Sequence, residues 1–273
     1  VAYTVNSSGF WNLPAREKAF QDFAAWKRVT PTFGVYEYYA QTNFPDMPRI
    51  IPELIQLELK ELQRVGSRYF HTQAGNGFAV NGLNYYMLGR LLWDPSADVK
   101  AIQADYVQNA FGPAAAVMDR YYNRFIASWR AQQSEPVRML GFANYDEIER
   151  AYPRELRDAC RRDLDEALKL ASRDYKRRVQ FVRDGFAFFD KTMTATDATY
   201  PLVKAGWRPG SPPPPSITAQ QVDRAVALWR ERDAYVEQHR EDFVLSYLWV
   251  RGNGENSFNP LKRLRNPDAA AKH

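Results

Sequence analysis

The sequence predicts an α/β segment followed by an all-α segment. Three observations carry that expectation: strand-like apolar runs alternate with amphipathic helical runs as far as Trp93, strand signals stop after Asp94-Pro95, and helical spacing fills most of the remainder. Residues 1–12, VAYTVNSSGFWN, start as a strand with Tyr3 and Val5 alternating against Thr4 and end in a Ser/Gly loop. PAREKAFQDFAAWKRV reads as a helix with Pro14 at its start and Phe20, Phe23 and Trp26 on one face. FGVYEYYA is the second strand. MPRIIPELIQLELKELQRVG is the second helix, with Ile51, Leu54, Ile55, Leu59, Leu62 and Val65 as its apolar stripe and Gly66 as its stop. SRYFHTQA is the third strand and GLNYYMLGRLLWDP the third helix. Such alternation with short links is the signature of βα units in a parallel sheet.

Past Pro95 the chain reads as helices. SADVKAIQADYVQNAFG has Ser96 as a cap and Gly112 as a stop, and PAAAVMDRYYNRFIASW opens on Pro113. NYDEIERAYP has capping-box spacing from Asn144 to Glu147. Residues 153–195 keep helical intervals, as one long helix or two joined near Asp174. KAGWRPGSPPPPSI, at residues 204–217, is an extended proline-rich loop, since four consecutive prolines cannot continue a helix. A last helix runs from Thr218 to about Gln238, and the tail RLRNPDAAAKH is frayed. The organisation is therefore 1–95 as βα units and 96–273 as a helical domain.

Composition narrows the function classes. With 45% hydrophobic and 25% charged residues over 273 positions, the chain is globular with room for a substantial core. The aromatic share is high at 14%, which means either heavy packing between helices or platforms for flat ligands such as sugar rings. Trp93, Trp129, Trp207, Trp229 and Trp249 read as packing, with Trp207 in the proline-rich loop a candidate for exposure. The net charge of +5 comes from basic residues interleaved with acids, as in RELRDACRRDLDEALKLASRDYKRRVQ. On a helix that gives solvated pairs rather than a phosphate-binding stripe, so nucleic acid is not an expected partner. The one cysteine, Cys160, excludes an internal disulfide and reads as a buried inert thiol. No run approaches the ~18 apolar residues of a membrane span. The first residue is Val1, so a removed leader is compatible with the chain. His71, His239 and His273 have no metal-ligand spacing, and neither a metal nor a cofactor is expected.

The stretch LNYYMLGRLLWDPSADVKAIQADYVQNAFGPAA resembles a phrase of the bacterial domain-of-unknown-function family 4838. A helix reading Y-x-x-x-x-L-L-W-D-P is there followed by a helix ending in a Tyr/Phe-Gly-x-Ala-Ala step. The matching residues are Tyr86, Leu91, Leu92, Trp93, Asp94, Pro95, Phe111, Gly112, Ala114 and Ala115. VYEYYA, LKELQRVG and DEALKLASRDYKRRVQFVRDGFAFF are similar to the family as well. The resemblance implies the C-terminal part of a (β/α)8 TIM-like barrel followed by an α-helical domain. Relatives in glycoside hydrolase family 163 are endo-acting β-N-acetylglucosaminidases on complex N-glycans, and YYMLGRLLWDP is also similar to α-glucuronidases of family 67. It thus implies a glycoside hydrolase, an oligosaccharide or polysaccharide partner, and a secreted, periplasmic or cell-surface location. Where many relatives carry an acidic residue after the third strand, this chain has Gln73, which opens the alternative of a non-catalytic carbohydrate-binding relative; the mixed-charge long helix opens another, a helical interaction module.

Glycosidases need two carboxylates, one to protonate the leaving group and one as nucleophile or base. Glu37, near the end of the second strand, suits a catalytic position there, and equally an ion pair with a neighbouring-strand Arg or Lys. His71 on the third strand is the second catalytic candidate; its alternative is a hydrogen-bonded core histidine. Tyr3, Asn6, Trp11, Tyr39, Gln73 and Asn76 are candidates for binding substrate. Tyrosine and tryptophan stack on pyranose rings, and amides donate and accept to hydroxyls. Asn76 before Gly77 reads equally as a turn pair, and Trp11 as a rim plug.

Overall fold

The structure is a computed structural model, and it describes residues 2–5, 13–37, 39, 46–72, 77–131, 145–209 and 211–251. Three strands, β1 (Ala2–Val5), β2 (Gly34–Glu37) and β3 (Tyr69–Thr72), form one parallel sheet in the order β1-β2-β3. Helices α1 (Leu13–Val29) and α2 (Pro52–Arg64) connect them. Tyr3, Val35 and Phe70 stand level across the sheet, as do Val5, Glu37 and Thr72.

The expected barrel segment is not what these strands form. Each is four residues long, the sheet is open, and no described strand comes after Thr72. Closure of a (β/α)8 barrel needs eight tilted, staggered strands. The fold is predominantly helical instead. α3 (Phe78–Trp93), α4 (Val99–Phe111), α5 (Ala115–Arg130), α6 (Tyr145–Ala151), α7 (Arg154–Leu170), α8 (Arg173–Lys204), α9 (Ala219–Gln238) and the short α10 (Tyr247–Trp249) make up most of the described chain beyond the sheet.

One core cluster runs from Phe23 on α1 and Val35 on β2 through Leu54 and Leu83 to Phe125, Phe189 and Trp229. α8, with 32 residues, is about 48 Å long at 1.5 Å per residue and acts as its spine. Gly185 is what lets α3 approach: a Cβ there would lie 2.6 Å from the Ala79 Cβ. Thr192, Thr196 and Thr199, all buried in α8, donate to the carbonyls four residues back, so their hydroxyls enter the core satisfied. α9 starts at a capping box in which Thr218 and Gln221 exchange hydrogen bonds.

The interleaved charges do more than pair along one helix. Asp163 on α7 is buried and accepts from Arg120 and Arg124 of α5, and Arg157 reaches Asp197 on α8. Among the tryptophans, Trp129, Trp207 and Trp229 are buried, so the proline-rich loop tucks Trp207 inward. Trp93 departs from the packing expectation, with 92% of its surface exposed.

Candidate functional site

The segment between β2 and α2 makes the site. Residues 47–50 have no regular structure yet are buried, so their backbone groups need partners other than water. Two amides one turn apart on α3 supply them. Asn81 accepts from the Arg49 N–H at 3.0 Å and donates to the Met47 carbonyl, while Asn84 accepts from the Ile51 N–H at 3.0 Å and donates to the Arg49 carbonyl. The Pro48 carbonyl accepts from both the Trp129 indole and the Tyr152 hydroxyl. This scaffold fixes Arg49 inside the protein, 2% exposed, with its guanidinium 5.9 Å from the centre of the Trp129 ring.

Around Arg49 lie three acidic groups. Glu37 at the end of β2 is fully buried on the same side of the strand as Val35. Glu58, on the apolar face of α2, is also fully buried, and Glu37 is near enough to act on its carboxyl. Tyr39 donates to Glu58 Oε2 at 2.5 Å. Burial pushes the Glu58 carboxyl well above its usual range, and the neighbouring Glu37 adds to the rise; the Tyr39 hydrogen bond and Arg49 pull the other way. Burial also pushes the Tyr39 phenol up, with Glu58 and Glu37 contributing. Arg49 is lowered by burial, and Glu37 is the strongest of the groups that oppose this. The cluster is thus a buried guanidinium among two carboxyls and a phenol, with burial pushing the Glu58 carboxyl toward its neutral form.

This arrangement is too enclosed for sugar chemistry. A retaining pair of carboxyls stands about 5–5.5 Å apart and an inverting pair about 6.5–9.5 Å, because substrate or water must fit between them. Glu37 and Glu58 are both fully buried, which leaves neither substrate nor water access between them.

His71 lies elsewhere. It stands opposite Tyr36 in the register, on the face of the sheet away from Val35 and Glu37, and is exposed. Its ring is 4.8 Å from the Tyr36 ring, and Tyr69, two residues earlier on the same face, is 68% exposed. The two catalytic candidates therefore occupy opposite faces. Tyr39 belongs with Glu37, and Tyr3 stands opposite Val35 in β1. Asn6, Trp11, Gln73 and Asn76 lie outside the described residues.

Sequence reasoning missed Glu58, Arg49, Asn81, Asn84 and Tyr36. A signal existed for the first: Glu58 sits on the stripe of Leu54, Ile55 and Leu62, where a carboxylate needs a buried partner. Asn81 and Asn84, three apart in an apolar helix, carry the same kind of signal.

Among the described residues no group of three or more His, Cys, Asp or Glu side chains is placed to hold a metal ion. No described helix is long and apolar enough to cross a membrane. Comparison with curated proteins and with solved structures returned no match. Residues 9–124, which contain Glu37, Tyr39, Arg49, Glu58 and His71, match the family model described as a domain of unknown function (DUF4838).

Proposed function

We propose that this is a carbohydrate-active protein that holds a complex glycan on the outer face of its sheet, with Tyr36, Tyr69 and His71 as the platform. The observation that carries the reading is the Tyr36–His71 ring contact on an exposed face beside the carboxyl ends of parallel strands. Ligands of open α/β sheets bind at those ends, and aromatic rings pack against the apolar faces of sugars while their polar tips reach hydroxyls. The similarity of the Tyr86–Ala115 phrase to a family with glycan-cleaving relatives supports the same class.

A second reading, hydrolysis by a glycoside hydrolase, is favoured by one feature: Glu37 stands at a strand end and a second buried carboxyl, Glu58, feels its charge. In that reading Glu37 must become exposed to meet substrate. A glycan array followed by product analysis of every hit separates the two. Binding without new reducing ends supports the platform reading, and product release supports hydrolysis. No binding to any glycan overturns the carbohydrate assignment.

A further inference from the structure

We propose that Asp46, Ser246 and Gly77 form a proton-controlled latch that fastens the C-terminal segment 244–251 onto the loops leaving β2 and β3. Asp46 is the last residue of the connection out of β2, before the buried 47–50 segment, and Gly77 is the last before α3. Ser246 lies 200 residues beyond Asp46 in sequence. One carboxyl oxygen of Asp46 accepts from the Ser246 N–H; the other pairs with the Ser246 hydroxyl at 2.8 Å, and that hydroxyl accepts from the Gly77 N–H at 2.7 Å. Three separate pieces of chain thus meet on one serine. Asp46 and Ser246 are 4% and 5% exposed, so the junction is shielded from water.

Two further features show a fitted junction. Asp46 has a left-handed backbone, φ 58°, a conformation that Asp tolerates better than most side chains and that aims its carboxyl inward. A Cβ on Gly77 would lie 2.0 Å from Asp46 Oδ1, so only glycine admits the carboxyl. Around Ser246, Val244, Leu245 and Val250 pack with Phe188 and Val236 in a small core cluster of their own. Segment 244–251 is therefore held by that cluster on one side and by Asp46 on the other.

Among the described residues, Asp46 is the junction group whose carboxyl is shifted toward neutrality; at the near end of the segment Asp242 accepts from the Val244 N–H and pairs with His239 at 2.7 Å, and Asp46→Asn separates the two contributions. Among the described residues, Arg232 from α9 and Tyr85 from α3 are the ionisable groups that act on Asp46 or feel it. Arginine keeps its charge throughout, and burial, with Asp46 adding to it, pushes the Tyr85 phenol up so that it stays neutral. Burial raises the Asp46 carboxyl from 3.8 to about 6, against the hydrogen bonds from Ser246 and the charge of Arg232. A carboxyl raised in the closed state favours closure fully below its ordinary value and loses that advantage as pH rises through about 6. With 3.8 for the hydrated, open carboxyl and about 6 for the closed one, the opening equilibrium rises about tenfold between about pH 5 and about pH 8.

This inference does not depend on the carbohydrate assignment, and its test uses no sugar. Hydrogen exchange on the full chain is measured at about pH 5 and about pH 8, with the intrinsic pH dependence of exchange divided out. The expected result is about tenfold weaker protection of peptides covering residues 244–251 at the higher pH, with α5 and α8 unchanged. Asp46→Asn, which keeps an acceptor for the Ser246 N–H and carries no charge, is expected to abolish the difference. Equal protection of the wild type at both values overturns the latch, as does the same pH response in Asp46→Asn. Should Asp46→Asn fail to fold, carbon-13 titration of the wild-type Asp46 carboxyl decides. A midpoint near 6 that the Gly77 and Ser246 amide shifts follow supports the latch. A midpoint near the ordinary carboxylate value, or amides that do not follow, overturns it.

Discussion

The Tyr39 hydroxyl donates to Glu58 Oε2 at 2.5 Å, joining a residue two positions past β2 to the apolar face of α2 through a bond buried from water. The bond marks a buried polar cluster at the sheet–helix junction, where burial favours the neutral form of the Glu58 carboxyl. Replacing Tyr39 by Phe leaves that carboxyl short of a donor and is expected to cost about 1–3 kcal/mol in urea unfolding.

The same cluster makes stability depend on pH. Because the folded-state value of Glu58 is raised, its contribution is full below the ordinary carboxylate value of 4.5 and is lost as pH rises through the folded value. Glu58→Gln carries no such proton. Unfolding curves across the pH range are expected to show the wild type losing stability relative to Glu58→Gln on going from acid to alkaline pH; parallel curves would show that Glu58 is not held protonated.

Asn84→Leu keeps approximate volume on α3 and removes both hydrogen bonds to the 47–51 backbone. The Ile51 N–H and the Arg49 carbonyl are then buried without that partner, and a loss of about 1–3 kcal/mol for each is expected by chemical denaturation.

Gly185→Leu forces a side chain into the contact between α8 and α3. A Cβ already meets Ala79 at 2.6 Å, so the helices must separate. Overpacking of this kind costs about 1–3 kcal/mol, and a melting curve unchanged from wild type would mean that α3 does not sit against Gly185.

Cys160 is fully buried, and burial pushes its thiol up. A thiol reagent is expected to leave the native protein unlabelled at neutral pH and to modify one cysteine per chain after denaturation.

How much of this was legible in the sequence depends on what each feature rests on. α2 was readable because its stripe and its stop at Gly66 are local, and α9 because Thr218 and Gln221 form a cap within one turn. The break near residues 171–172 was legible only approximately, since both α7 and α8 keep the same apolar period up to it. The barrel expectation failed at the step from local units to global closure. Three βα units specify a parallel sheet, and whether the sheet closes depends on strand number and stagger, which no single unit encodes. The site was half legible. Glu37 drew attention as a charge in an apolar run, but its partners Glu58 and Arg49 come from elements whose approach is set by the Asn81 and Asn84 scaffold. Alternation along β3 puts Tyr69 and His71 on one face, but which face stays open to solvent is decided by where α2 packs. For Trp93, helical spacing suggested packing, yet its position at the last turn of α3 carries it out of the core.

The most direct test of the central claim compares three variants against one glycan recovered from the array: His71→Ala, Tyr69→Ala and Glu37→Gln, each titrated by calorimetry. The account predicts that each aromatic truncation weakens binding by about three- to tenfold, in line with roughly 0.5–1.5 kcal/mol for a ring contact, and that Glu37→Gln changes affinity by less than about twofold because a buried side chain touches no ligand. Loss of binding or of product release in Glu37→Gln, with His71→Ala and Tyr69→Ala indistinguishable from wild type, would contradict it and place the glycan at the buried carboxyl pair.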